Sequence, residues 1–159
     1  MERPRWLVDE MLARLARYLR FVGLDVVQVR GLSDREILEQ AEREDRRILT
    51  RDRQLAARSP RALLVRSPWL DEQWRELRAA WPGLPHVVSF ERCSACNGPL
   101  APYLPGTDPG REAGLPKGLV ERGLAVFSCT ICGHLYWEGS HTARIRGQLS
   151  RWEAETGSR

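Results

Sequence analysis

Lysine is nearly missing from this chain: Lys117 is the only one, so 24 of its 25 basic residues are arginine. Lys117 stands in a Gly- and Pro-rich segment, which leaves no lysine for a late strand end and sets aside a receiver-like phosphoacceptor site. No apolar stretch approaches the ~20 residues that span a bilayer. Nor does an apolar run follow Met1-Glu2-Arg3-Pro4-Arg5-Trp6 as a signal peptide requires. The expectation is a soluble, cytoplasmic protein with no membrane partner. No internal repeat is evident, and the four cysteines all come late.

What is present suffices for a folded core. With 159 residues and 42% hydrophobic content, the chain can hold one ordinary domain, or a domain of about 90 residues with a small appendage. The second division is favoured, because from Cys93 onward Gly and Pro become dense and helical periodicity disappears. The net charge of +4 is compatible with nucleic acid without demonstrating it. The arginine bias reads equally well as coding composition or heat tolerance.

The first 90 residues alternate strand and helix signals. Trp6-Leu7-Val8 is a short apolar run that ends in Asp9 and enters an amphipathic helix to Val22, closed by Gly23. Leu12, Leu15, Ala16 and Leu19 share one face of that helix, and Arg14, Arg17 and Arg20 the other. A second strand follows over Asp25–Val29. Ser33-Asp34-Arg35-Glu36 carries the capping-box pattern that starts a helix near Asp34. Arg47–Thr50 reads as a third strand, and Asp52 follows it after one residue. A short helix from Gln54 to Arg58, a strand over Ala62–Val65 and a helix begun by Ser67-Pro68 complete the series. His86-Val87-Val88 is read as a fifth strand. This alternation implies a three-layer α/β domain with a parallel sheet and right-handed crossovers. The boundary is placed near Glu91, the small second unit runs to Arg146, and the sparsely apolar tail beyond is read as a frayed helix or disordered.

In a parallel sheet the C-terminal ends of the strands form the rim where ligands bind. Asp9 leaves strand one, Asp52 leaves strand three, and Asp34 opens the helix after strand two, so all three are expected at that rim. Gathered carboxylates repel one another unless a divalent cation sits among them, and Mg²⁺ or Mn²⁺ suits oxygen ligands and phosphate chemistry. Thr50 at the strand exit can hold a carboxylate or a water. Arg14, Arg17, Arg51 and Arg53 are candidates to contact an RNA backbone, with a solvated helix face as the alternative for the first two. Glu10 and Asp25 are possible fourth acids. Each aspartate also has a plainer reading as a helix cap.

Cys93-Ser94-Ala95-Cys96 and Cys129-Thr130-Ile131-Cys132 form two C-x-x-C pairs. Four thiolates suit one tetrahedral Zn²⁺ with no open position, hence a structural ion, and Gly98 and Gly133 permit tight turns near the sulfurs. A disulfide is the alternative. The segment from Asn97 to Phe127 reads as a protruding loop. Tyr136 and Trp137 either pack this unit against the first domain or stack on bases, with Arg144 and Arg146 meeting phosphates. His141 either reaches the acidic rim or lies on the surface.

The blocks Asp34-Arg35-Glu36-Ile37-Leu38-Glu39-Gln40-Ala41 and Ile48-Leu49-Thr50-Arg51-Asp52 resemble those of PIN-domain ribonucleases. Together with Val8–Arg20 and the paired cysteines, the chain is similar to the Mut-seven C-terminal RNase domain family over roughly Trp6 to His141. That resemblance implies a PIN-like domain joined to a zinc ribbon and metal-dependent RNA cleavage, with Asp9, Asp34 and Asp52 as the acidic site. The chain departs from some PIN nucleases at Arg53, where those carry an additional acid. A noncatalytic RNA-binding or adaptor protein of the same fold is the competing reading.

Overall fold

Four short strands set the frame. In the computed structural model, which describes residues 3–156, β1 (Trp6–Val8), β2 (Val26–Gln28), β3 (Arg47–Thr50) and β4 (Ala62–Leu64) form a wholly parallel sheet ordered β2-β1-β3-β4. Leu7 pairs with Val27 on one side and Ile48 on the other. A single 3₁₀ turn (Glu10–Leu12) leads from β1 into α1 (Ala13–Phe21), so the first helix begins one turn later than its apolar spacing suggests. α2 (Asp34–Arg43), α3 (Arg53–Ala57) and α4 (Leu70–Ala80) follow.

Period-two alternation divides the strand residues between two helical layers. Trp6, Val8 and Leu49 join a large core with Leu15 and Leu19 of α1 and Trp74 and Leu77 of α4. Leu7 and Ile48 point the other way, against Ile37 and Ala41 of α2 and Leu55 of α3. Helices therefore cover both faces, which is why β1 is buried throughout. The capping box at Ser33 is present in full: Glu36 N–H donates to Ser33 Oγ, and Ser33 N–H donates to the Glu36 carboxylate.

The second unit is a three-stranded antiparallel sheet of β5 (Leu100–Tyr103), β6 (Val126–Cys129) and β7 (Leu135–Trp137), with a four-residue helix, α5 (Pro109–Glu112), between the first two. The segment read as one loop from Asn97 to Phe127 thus contributes β5, α5 and the start of β6. Phe90 stacks on Phe127 at 4.8 Å, where the chain passes from one unit to the other.

Two further expectations are corrected. Residues 86–88 form no strand: Val88 is buried in the large core, and Ser89 N–H donates to the Phe21 carbonyl at 2.7 Å. This backbone satisfies itself on the end of α1 instead of on a sheet edge. Residues 147–156, expected as a frayed helix or disordered, belong to a docked helix, since α6 spans Ser140–Thr156 and buries Ile145, Leu149 and Trp152; the last three residues of that expected tail lie outside the described ones. The buried residues of α6 are sparse in sequence but share one helical face, enough to dock it. Trp152 stacks on Trp74 at 5.0 Å and meets Tyr18 at 4.9 Å, so the chain returns to the first unit after building the second.

Candidate active site and metal centre

The strand order fixes where a cleft must open. β1 connects leftward to β2 and β3 connects rightward to β4, so a crevice forms beyond the C-terminal ends of β1 and β3. Asp9 and Asp52 leave those two ends. Asp9, Asp34 and Asp52 line one cleft of about 190 Å³, together with Glu10, Gly31 and Leu32.

Thr50 spans the two strand exits. Its buried hydroxyl donates a short hydrogen bond to Asp9 Oδ2 and accepts from the Asp52 backbone N–H at 2.9 Å. Asp9 also accepts from Met11 N–H at 2.9 Å and from Arg51 N–H at 3.1 Å, which fixes both of its oxygens. Asp52 caps α3 through Oδ1, accepting from Gln54 and Leu55 N–H at 2.7 and 3.2 Å. Its second oxygen has no donor among the described residues and faces an exposed position. Asp34 accepts from Arg58 at 3.3 Å, an ion pair with no sequence signal beyond the place of Arg58 at the end of α3.

The helix-cap and site readings of Asp52 are therefore not exclusive, since Oδ1 caps while Oδ2 remains available, whereas both oxygens of Asp9 already accept hydrogen bonds and would meet a cation only through their remaining lone pairs. The three carboxylates share a wall without closing to the spacing of one ion's inner ligands. Among the described residues only the four cysteines do that. Free carboxylate oxygens at wider spacing fit a hydrated hard cation such as Mg²⁺, which keeps several of its waters.

Other candidates lie elsewhere. Asp25 sits at the N-terminal end of β2, at the opposite edge of the sheet, and pairs with Arg5, Arg46 and Arg92. Partial burial pushes its carboxyl up, but hydrogen bonds from Arg46 and Asn97 outweigh this and hold it down at about 2. It is a structural hub and not a fourth acid, whereas Glu10 does line the cleft. Arg20 is buried, not on a solvated face, and donates to the carbonyls of Val26, Ser94 and Ala95. His141 packs edge-on against Phe21 at 5.8 Å and does not line the acidic cleft. Arg51 is half-buried, and its Nε has no partner among the described residues, while Arg53 is exposed at the start of α3.

The cysteines form the second centre. All four are free thiols whose sulfurs lie within 4.8 Å of one another. Cys93 to Cys132 is 3.7 Å and Cys96 to Cys129 is 3.5 Å. A disulfide needs about 2.05 Å, while a tetrahedron with Zn–S of about 2.3 Å puts its sulfurs about 3.8 Å apart. The spacing fits a metal ion such as zinc. Burial, with the neighbouring Cys129 and Cys132 thiols, pushes Cys96 up to about 12. Burial also acts upward on Cys93, but hydrogen bonds from the Tyr136 hydroxyl and from backbone N–H groups bring it down to about 7.

The two pairs use different turn residues. Asn97 holds φ +68° in the first and Gly133 holds +75° in the second. Gly98 serves by lacking a side chain, because a Cβ there would lie 2.8 Å from Cys129 Sγ. Asn97 also accepts from Val26 N–H at 2.9 Å and donates to Asp25 at 2.8 Å, tying the first pair to β2. Nothing in the sequence marked Asn97 for that task.

The sequence profile of the Mut7-C RNAse domain matches residues 4–149 of the 159-residue chain. The chain belongs to the Mut7-C RNAse domain family. The match takes in both centres of this Mut7-C chain and nine residues of α6 that follow Ser140. The family description points to ribonuclease-type function, with RNA as substrate. No curated protein and no solved structure matches the chain. Among the described residues, no helix is long and apolar enough to cross a membrane.

Proposed function

We propose that this Mut7-C protein is a divalent-metal-dependent ribonuclease, an endonuclease, with Asp9, Asp34 and Asp52 holding Mg²⁺ or Mn²⁺. The observation that carries this reading is the arrangement at the two strand exits. Asp9 and Asp52 leave adjacent parallel strands, Thr50 bridges them, and Asp34 lines the same cleft. When bound, such an ion supplies charge neutralisation on phosphate oxygens and a more acidic water.

The chain's own groups do the rest. Thr50 fixes Asp9 so that the carboxylate does not have to be ordered during the reaction, the advantage of a preorganised site. Asp52 keeps one oxygen on the α3 N-terminus and offers the other to the cleft. Arg51 and Arg53 meet the RNA phosphates. Both flank Asp52 in the chain, which supports that role.

In this reading residues 1–90 are a PIN-like nuclease domain and residues 91–146 a zinc ribbon, whose one Zn²⁺ is structural because sulfur fills all four positions. α6 is the strap that returns from the ribbon to the nuclease domain. A cytoplasmic location suits the four free thiols. The spread of the three carboxylates beyond inner-ligand spacing favours a second reading, a noncatalytic RNA-binding or adaptor protein.

Asp52→Asn separates the two. Asparagine caps a helix about as well as aspartate, so the fold should lose only a few tenths of a kcal/mol. Cleavage of single-stranded RNA in Mg²⁺ or Mn²⁺ should fall by roughly a hundredfold or more, as when one group that stabilises the transition state is removed. Equal behaviour of parent and variant with every metal tried would establish the adaptor reading.

A further inference from the structure

A second concavity lies along α1. It is a groove of about 780 Å³ between α1 and α6, with Arg14 and Arg17 on one wall and Arg144 and Arg151 on the other. Among the described residues none of these four cations is paired with a carboxylate, whereas Arg3, Arg46, Arg78 and others elsewhere are. Four unneutralised guanidinium groups around one hollow repel each other and favour an anionic occupant. The same field reaches His141: burial first, then Arg144 and Arg17, lower its pKa from the ordinary imidazole value.

Two further features suit an extended occupant. Gly147 stands inside the 17-residue α6 and lines the groove. Glycine in a helix interior costs about 1 kcal/mol relative to alanine. A Cβ at Gly147 would meet nothing within 4 Å, so internal packing does not require the glycine. Its effect is to keep one wall low. The groove also offers the half-buried ring of Tyr18 and the exposed ring of His141, surfaces on which an unpaired base or a ribose can lie.

We propose that the groove between α1 and α6 seats single-stranded RNA, with Arg14, Arg17, Arg144 and Arg151 on its phosphates and Tyr18 and His141 against its bases or riboses. This rests on the reading of the acidic cleft as a ribonuclease site, and it names the track by which substrate arrives. Met11 lines the cleft and Arg14 lines the groove, three residues on. A strand lying along α1 therefore reaches the cleft within one helical turn, about 5 Å. From Arg14 to Phe21 the groove follows α1 for roughly 10 Å, room for about two or three nucleotides. A duplex keeps its bases stacked on one another and so leaves them unavailable to Tyr18 and His141.

The test is fluorescence anisotropy with a labelled twelve-nucleotide oligouridylate, using the full zinc-loaded chain in an Asp52→Asn background so that the probe survives. Arg14→Ala with Arg144→Ala, and separately Gly147→Glu, are made in that background. All three positions are exposed, and melting curves check that the fold is kept. Each phosphate contact on a single strand contributes a salt slope of about 0.7, or roughly fivefold in affinity between 1 M and 0.1 M salt. The double variant should bind roughly 25-fold more weakly at 0.1 M salt, with the slope reduced by about 1.4. Gly147→Glu should weaken binding by about tenfold or more, because it adds both bulk and negative charge.

Unchanged affinity and slope in both variants would overturn the proposal. So would tighter binding of a blunt duplex with the same dependence on these residues, or displacement of the RNA by equimolar oligoglutamate, which would assign the groove to an acidic protein. Affinity decides the groove and cleavage decides the acidic cleft, so either can fail while the other stands.

Discussion

Truncating Trp152 to alanine tests whether α6 belongs to the core. The indole is 2% exposed, stacks on Trp74 at 5.0 Å and meets Tyr18 at 4.9 Å. Removing a buried Trp usually costs about 3–5 kcal/mol. Here one term reduces the loss: the indole N–H is buried without a partner, so deleting it relieves a penalty of about 1–3 kcal/mol. Setting that relief against the cost leaves about 2 kcal/mol, out of a total near 5–15 kcal/mol. For a chain of this size that lowers Tm by about 4–8 °C.

Trp152→Phe keeps an aromatic ring and loses the orphan donor, so it should cost under about 1 kcal/mol. Guanidinium unfolding followed by circular dichroism, with zinc at saturation, measures both. Arg151→Ala serves as the exposed control and should stay within about 0.5 kcal/mol. A loss below 1 kcal/mol for Trp152→Ala would mean that α6 does not dock. The wall of the groove that carries Arg144 and Arg151 would then have no fixed position.

Two other perturbations probe the joint between the units and the metal centre. Asp25 titrates near 2 in the folded chain, below its ordinary value of 3.8, so its contribution is complete above about pH 4 and lost as the pH falls through 2. It amounts to at most about 2–3 kcal/mol, and Asp25→Asn should be less stable than the parent at pH 7 but approach it near pH 2, as read by urea unfolding at matched pH. A constant difference down to pH 2 would refute the ion-pair account. Strong chelation at pH 7 should release one zinc per chain, measured with a colorimetric indicator, and melt the β5-β6-β7 unit, since metal binding free energy of this kind is folding free energy. Retention of the ordered ribbon after complete zinc loss would show that its hydrogen bonds suffice alone.

Much of the parallel sheet was legible because short apolar runs ending in Asp9, Thr50 and Val65 bury both faces and alternate with amphipathic helices. The capping box at Ser33 and the two C-x-x-C pairs were equally local signals, each complete within four residues. The arginines were not legible. Arg17 and Arg20 lie three residues apart on one helix, yet Arg17 is exposed in a groove while Arg20 is buried on the carbonyls of Ser94 and Ala95. Periodicity gives a residue's direction on its own helix but not what a distant segment places opposite it.

Asp25 and Asp34 make the same point. Each is an aspartate flanking a strand or helix start, but one falls at the closed end of the sheet among Arg5, Arg46 and Arg92, and the other at the open end in the acidic cleft. The amino-acid order by itself determined the four parallel strands, the capped start of α2, the thiol set and which acids leave which strand. Only the tertiary structure decided the strand order that opens the crevice between β1 and β3, the return of α6 onto α1, and therefore which charges face one another. Local structure follows from steric preference and periodicity over a few residues, whereas the meeting of charges depends on contacts between segments more than 100 residues apart, such as Tyr18 and Trp152.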